Sequence, residues 1–249
     1  MLRERWVILG ALLGIAALCW LYLFIAAADM AAMGQGAMPM PMPPTAGVGL
    51  LLLFAMWWIM MIGMMLPSAV PMILMFSGIN RRRRLRAEPF VPTAIFVAGY
   101  LFAWGAFSAL ATVGQSGLER VALLSPMDMT TTSRWLGGLL FLAAGIYQLT
   151  PLKQSCLRAC RSPFDFIVNH WRDGEMGALR MGLAHGVYCL GCCALLMALL
   201  FAVGVMNLMW VAALAAVVLI EKLLPLGDWT ARVVGVGLVG YGLWLLAMM

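Results

Sequence analysis

The chain has 249 residues, of which 64% are hydrophobic and only 10% are charged, and its mean hydropathy is +0.98. A soluble domain carries about 25% charged residues, so this composition excludes an ordinary soluble protein and predicts an integral membrane protein. The net charge of +6 does not indicate nucleic-acid binding, because the basic residues cluster at the ends of apolar segments, where they set membrane orientation.

Apolar segments follow one another along the whole chain, and most approach the roughly 20 residues that a helix needs to cross a bilayer. They predict an all-α, polytopic membrane protein with a single transmembrane domain over residues 1–249. The seven predicted spans are 6–28, 47–79, 91–113, 134–151, 181–206, 208–224 and 230–248. We assign no site residue to the third of them.

The positions of Lys and Arg predict the orientation of these spans. With the N-terminus in the cytoplasm, only Arg120 and Arg134 of the 16 basic residues lie outside, which leaves 14 on the cytoplasmic side. This distribution follows the positive-inside rule. It predicts a periplasmic C-terminus and a multi-pass protein of the bacterial inner membrane, in contact with the lipid bilayer.

The fifth predicted span carries an unusual group of thiols. Each helical residue turns about 100°, so Cys189, Cys192 and Cys193, at four, seven and eight residues after His185, share its side. Metal-binding side chains at membrane depth indicate a functional site, and soft sulfur with one imidazole suits Cu⁺ or Zn²⁺. The alternative is that the cysteines are small buried hydrophobes.

The second predicted span is rich in methionine. Met60, Met61, Met64 and Met65 place four thioethers on one side of two helical turns. Pro67 follows them and removes one helix hydrogen bond, an irregularity that membranes tolerate where the helix lines a buried site. The alternative is that methionine fills gaps between helices.

Further methionines lie in the loop after the first span, between Asp29 and Pro44. Met38, Met40 and Met42 alternate with proline there, which keeps such a segment extended and exposes its thioethers. With Met33 they are candidates for capturing a metal at the outer surface, since thioethers are soft ligands. A Pro-rich linker without a metal role is the alternative.

Two cysteines follow the fourth span. Cys156 and Cys160 are four residues apart, so one helix face can present both thiols, for metal binding or for disulfide exchange. Lys153 precedes them and Glu221 ends the sixth span. We expect Glu221 to turn inward and pair with His185, and we treat Lys153 and Glu221 as groups that support the ligands.

Three motifs together resemble a bacterial family of predicted metal-binding integral membrane proteins, some of them labelled copper chaperones. The motifs begin at Met56 (Met-Trp-Trp-x-Met-Met-x-Gly-Met-Met-Leu-Pro-Ser), at Tyr147 (Tyr-Gln-Leu-Thr-Pro-Leu-Lys-x-x-Cys-Leu-x-x-Cys-Arg-Ser-Pro) and at His185 (His-Gly-x-Tyr-Cys-Leu-Gly-Cys-Cys). The resemblance covers roughly residues 47–245. Gly63 and Ala194 depart from it, where alanine and tryptophan are expected. It implies a copper-type membrane site at Met60, Met61, Met64, Met65, Cys156, Cys160, His185, Cys189, Cys192 and Cys193.

The leading functional hypothesis is a Cu⁺-binding membrane protein without enzymatic activity, which delivers copper to a periplasmic or membrane metalloprotein. Copper ranks ahead of zinc and haem as the bound species. The first alternative is a thiol–disulfide or electron-relay oxidoreductase using Cys156/Cys160 and Cys192/Cys193, so enzymatic activity is left open. The second alternative is a structural subunit of a larger membrane complex.

Overall fold

The structure is a computed structural model that describes residues 2–34, 46–87, 89–124 and 129–248. These residues form helices joined by short turns, with one isolated β-bridge between Leu124 and Thr131 and no strand. The predicted all-α class is thus confirmed. In chain order the helices are α1 (Leu2–Gly34), α2 (Ala46–Leu85), α3 (Thr93–Arg120), α4 (Arg134–Leu149), α5 (Pro151–Arg161), α6 (Pro163–His170), α7 (Gly174–Ala198), α8 (Leu200–Val203), α9 (Leu208–Leu223) and α10 (Gly227–Ala247).

Five segments within the described ranges are long and apolar enough to cross a membrane: α1, α2, α3, α7 together with α8, and α10. Helices α4 and α5 meet at a 65° bend, and they add a sixth segment if the pair is one span. Helix α9 has 16 residues, about 24 Å at ~1.5 Å per residue, which is shorter than the ~30 Å hydrocarbon core. The predicted seven spans therefore remain a prediction.

Helix α7 differs in its bounds from the predicted span 181–206. It begins at Gly174 and ends at Ala198, and one turn of helix, α8, follows. Gly204 then ends this segment with a φ of +102°, a backbone conformation that glycine adopts without steric cost. Helix α2, in contrast, continues through both Pro67 and Pro71.

Glycines allow α3 and α7 to pack with their backbones in contact. A Cβ atom on Gly182 of α7 would meet the carbonyl oxygen of Phe96, and one on Gly99 of α3 would meet the α7 backbone. A Cβ atom on Gly186 would lie 2.5 Å from the Cβ of Ala103. Small residues of this kind are what membrane helices use to approach closely. The packing holds the N-terminal half of α3 against α7, next to its thiols.

A second small-residue contact joins α4 to α10, which run antiparallel. A Cβ on Gly145 would lie 2.7 Å from the backbone nitrogen of Val239, and one on Gly235 would lie 2.8 Å from Gln148. Gly237 and Gly240 of the same helix have nothing within 4 Å of such a Cβ. Only one side of α10 therefore uses glycine for packing.

Arginine residues join helices where α2 ends and α7 begins. Arg83 forms an ion pair with Asp173, and its guanidinium lies 5.4 Å from the ring centroid of Trp171. Hydrogen bonds from Arg83 and Trp171 hold the pKa of the Asp173 carboxyl below its usual value. Arg161 similarly pairs with Asp228 at 2.8 Å. These two ion pairs thus link α2 to the residue before α7, and α5 to α10.

Large apolar side chains cover much of the outer surface. Leu18, Leu51, Phe102 and Leu110 are each more than half exposed. Soluble monomers rarely expose contiguous apolar surface on this scale. Such a surface is compatible with a lipid environment.

Candidate functional site

Helix α7 buries the face that carries the histidine and the thiols. The side chains of His185, Cys189, Cys192 and Cys193 are exposed by 3%, 1%, 2% and 1%. They share one side because of the helical repeat of about 3.6 residues, and residues of α2, α3, α5 and α9 contact the thiols of that side. The predicted face therefore points into the protein.

Sulfur atoms from three helices meet on this face. The Sγ atom of Cys192 lies 4.0 Å from that of Cys160 on α5, and the Sγ atom of Cys193 lies 3.9 Å from the Sδ atom of Met65 on α2. The thiols of Cys192 and Cys193 both donate to the carbonyl oxygen of Cys189, at 3.1 and 2.8 Å. We call Cys160, Cys189, Cys192, Cys193 and Met65 the sulfur cluster. All of the cysteines in it are free thiols.

Cys156 lies at the edge of the sulfur cluster. A Cβ atom built on Gly191 would be only 2.6 Å from the Cys156 Sγ atom, so the absence of a side chain at residue 191 makes room for this thiol. Tyr147 fixes the same region by donating a hydrogen bond to the carbonyl oxygen of Gly191. Both predicted cysteines of α5 therefore lie against α7.

The four predicted methionines of α2 are all buried, with exposures of 2% or less for Met60, Met61, Met64 and Met65. Met65 is the one whose sulfur atom lies within 4 Å of a cluster thiol. Met33 is in the last turn of α1. Met38, Met40 and Met42, the other candidates for outer metal capture, lie outside the described residues.

Cys189 has polar partners that the other cluster thiols lack. Lys222 of α9 donates a hydrogen bond to its Sγ atom at 2.8 Å and another to the hydroxyl of Ser68 at 3.2 Å. The hydroxyl of Tyr100 lies 3.2 Å from the same Sγ atom and donates to the carbonyl oxygen of Met65 at 3.1 Å. A cation and a phenol therefore contact this one thiol.

His185 lies among aromatic rings, one helical turn before Cys189. Its ring centroid is 5.7 Å from that of Tyr100, 6.2 Å from that of Phe96 and 5.4 Å from that of Phe166. Its Nδ1 atom is buried and makes no hydrogen bond to any described residue. A nitrogen without a protein partner is one that a ligand could use.

Glu221 pairs with Lys153 instead of the expected His185. The Lys153 Nζ atom lies 2.7 Å from Glu221 Oε2, and the side chains are 0% and 2% exposed. Gln148 completes the group by donating to Glu221 Oε1 at 2.8 Å and accepting from Lys153. Because each charge has a partner, burial is tolerated, and the group ties the α4–α5 bend to α9.

Three residues near Cys189 were not among the sequence predictions: Lys222, Tyr100 and Ser68. Lysine at a helix end normally extends its charged group to the membrane surface, so the position of Lys222 in the sequence gives no sign that it is buried. Tyr100 is the polar residue in an otherwise apolar segment of α3. A polar residue within an apolar segment was the signal from which Tyr100 could have been predicted.

The donor set is suited to a soft metal ion. Within the part of the chain that the structure describes, no three His, Cys, Asp or Glu side chains are already arranged to hold a metal ion. The cluster offers thiols and a thioether at contact distances of about 4 Å from one another, and these ligand types select Cu⁺ over hard cations. Two sulfurs at these distances are close enough to share one ion, because a metal–sulfur bond is about 2.3 Å long.

Apolar helices that enclose thiols, a thioether and an imidazole define a helical protein with a soft-metal donor set. Residues 54–245, roughly three quarters of the chain, match the family described as copper chaperone, PpoB2. The chain belongs to this copper chaperone family, and its function is related to copper. No curated protein and no solved structure matches it.

Proposed function

We propose that this protein binds Cu⁺ inside the bacterial inner membrane and delivers it to a partner metalloprotein. The proposal rests on the sulfur cluster, in which thiols of α5 and α7 and a thioether of α2 lie in contact between the helices. Thiolate and thioether ligands together favour Cu⁺. Membership of the copper chaperone family supports the same metal.

The methionines suggest a route for the ion. In the proposed route, the loop methionines Met38, Met40 and Met42 collect Cu⁺ at the outer surface. The buried methionines of α2 then pass it to Met65, whose sulfur contacts Cys193. Thioethers bind Cu⁺ without carrying charge, so they suit transient contacts along an apolar path.

Metal analysis of the purified full-length protein tests the proposal. After growth with added copper and purification under reducing conditions, we expect a stoichiometric amount of copper. Cys192→Ser should weaken Cu⁺ binding by more than about 100-fold, because a hydroxyl is a hard group and a poor ligand for copper. Cys19→Ser is the matched control, since Cys19 is also buried but lies on α1 outside the sulfur cluster. Copper-free protein with every thiol titratable would contradict the proposal.

The thiol–disulfide alternative is favoured by one observation, the approach of Cys160 to Cys192. Their Sγ atoms are 4.0 Å apart, whereas a disulfide is about 2.05 Å long, so a small movement would allow a bond between α5 and α7. The pairing differs from the predicted pairs Cys156/Cys160 and Cys192/Cys193. Each predicted pair lies on a single helix, while this contact joins two helices.

Copper uptake by four variants separates the two functions. Copper handling predicts that Cys192→Ser abolishes tight binding, that His185→Ala has an intermediate effect, and that replacing Met38, Met40 and Met42 only slows filling. Cys156→Ser should have a smaller effect than Cys192→Ser, because Cys156 lies at the cluster edge. Equal defects of Cys156→Ser and Cys192→Ser, with no effect of the methionines, would favour the redox function.

A further inference from the structure

Lys222 is a charged residue that neither the sequence predictions nor the family name assigns to the site. Its side chain is only 7% exposed, although lysine is rarely buried without a partner. Its hydrogen bonds go to the Cys189 Sγ atom and to the Ser68 hydroxyl. Among the described residues, no carboxylate forms an ion pair with it.

The nearest carboxylate on the same helix has a different cation. Glu221 is held by Lys153 and Gln148, and that pair is electrically neutral by itself. Glu221 therefore does not neutralise the positive charge of Lys222, and the closest group that could do so is the thiol of Cys189. A buried charge is costly unless an opposite charge balances it, so the sulfur cluster is where this charge must be balanced.

We propose that Lys222 sets the charge of the copper site and makes it selective for a monovalent ion. The inference rests on the proposed Cu⁺ function. When Cys189 and one further cysteine bind as thiolates, they bring two negative charges. One Cu⁺ ion and the Lys222 ammonium balance them, whereas a divalent ion in the same place leaves an excess positive charge in a low-dielectric interior.

The contacts of Lys222 give its ammonium an acceptor besides the Cys189 sulfur. The ammonium lies 2.8 Å from Cys189 Sγ, and Ser68 offers a second acceptor at 3.2 Å. As Cu⁺ takes the Cys189 sulfur, the ammonium withdraws towards Ser68 and stays close enough to compensate the charge. Tyr100, 3.2 Å from the same sulfur, keeps Cys189 oriented during the exchange.

Competition titrations on the full chain in detergent test this inference. Cu⁺ under anaerobic, reducing conditions and Zn²⁺ are the two probes, each measured against a chelator of known affinity. Lys222→Met removes the charge and keeps the apolar stem. We expect it to lower the ratio of Cu⁺ to Zn²⁺ affinity on the order of 100-fold, because a unit charge a few ångströms from the metal acts through a weakly screening interior.

Two further variants isolate the charge from the packing. Lys222→Arg retains the cation and should keep the ratio near that of the wild type. Ser68→Ala removes a hydrogen bond of Lys222 but leaves its charge, so it should also preserve the ratio. An unchanged ratio in Lys222→Met, or an equal loss of both metals, would overturn the proposal. Thermal unfolding of each metal-free variant verifies that it is folded.

The outcomes also separate this inference from the proposed function. A wild-type protein that takes up no Cu⁺ contradicts the proposed function itself. A wild-type protein that binds Cu⁺ through Cys192, with a metal preference that Lys222→Met leaves unchanged, overturns only the role of Lys222.

Discussion

Met65 is the residue through which α2 reaches the thiols of α7. Its sulfur atom lies 3.9 Å from Cys193 Sγ. Met65→Leu keeps the volume of the side chain and removes the thioether, so stability should change by less than about 1.5 kcal/mol. If this sulfur contributes to the copper site, Cu⁺ affinity should fall roughly tenfold, as for groups that support metal ligands.

A chelator competition measures this effect. Met72→Leu is the control, because Met72 is equally buried on the same helix and has no sulfur contact with the cluster thiols among the described residues. Similar copper affinities for the two leucine variants would remove Met65 from the site.

Lys153 and Glu221 form a buried ion pair in which each charge stabilises the other. Lys153→Met leaves the Glu221 carboxylate buried without a cation, which should destabilise the protein by about 3–5 kcal/mol. The double variant Lys153→Met/Glu221→Leu removes both charges and should recover most of that loss. Thermal unfolding in one detergent gives the comparison.

The half-exposed pair of Arg161 and Asp228 is the reference for this measurement. Exposed pairs contribute about 0–1 kcal/mol. Asp228→Asn removes the charge pair but keeps the Arg161 hydrogen bonds to the carbonyl oxygens of Leu224 and Pro225, so it should have a small effect. A double variant that is no more stable than Lys153→Met would show that the two charges do not depend on each other.

Sequence periodicity identified the buried face of α7 because the signal is local. His185 and Cys189 are one turn apart, and a helix alone places them together. The contacts of Cys189 with Lys222 and Tyr100 come from residues 33 and 89 positions away, so they depend on how three helices pack. The predicted pairing of Glu221 with His185 was wrong. Glu221 pairs with Lys153, and Lys222 donates a hydrogen bond to the Cys189 thiol.

At the level of elements, the contact of α3 with α7 depends on the absence of side chains. A Cβ on Gly182 would meet the carbonyl oxygen of Phe96, and backbone cannot move aside as a flexible side chain can. Gly182→Ala should therefore separate the two helices and destabilise the protein by 1 kcal/mol or more, in the range of about 1–3 kcal/mol for overpacking. Unfolding temperature measures it.

Gly237→Ala is the matched control, because a Cβ there has nothing within 4 Å. Alanine is a better helix former than glycine by up to about 1 kcal/mol, so this variant should be neutral or more stable. Equal stability of the two alanine variants would mean that α3 and α7 do not need the close approach.

The bounds of the helices were predicted less well than their existence. The apolar pattern located the centres of α1, α2, α3 and α10, but α7 begins at Gly174, before the apolar run, and ends where the turn at Leu199 intervenes. Hydropathy reports burial in an apolar medium and does not record where backbone hydrogen bonds begin or end.

At the scale of the molecule, the distribution of basic residues makes orientation testable. A reporter that is active only in the periplasm, fused after Met249, should be active, and a cytoplasmic reporter there should be silent. The same pair of reporters placed after Arg86 should give the reverse. Cytoplasmic activity at both positions would contradict an odd number of spans.

The sulfur cluster is largely enclosed: Cys189, Cys192, Cys193 and Met65 are exposed by 2% or less, and Cys160 is partly buried. A copper ion bound there could leave only when the surrounding helices move apart. Its release rate would therefore depend on that movement and hardly at all on the affinity of a competing chelator. The release rate should therefore reach a plateau as chelator concentration rises, as expected for a gated site. Stopped-flow measurement over a wide chelator range checks this, and a rate that stays proportional to concentration would indicate an open site. Such gating would let a docked partner receive copper that thiols free in solution cannot remove.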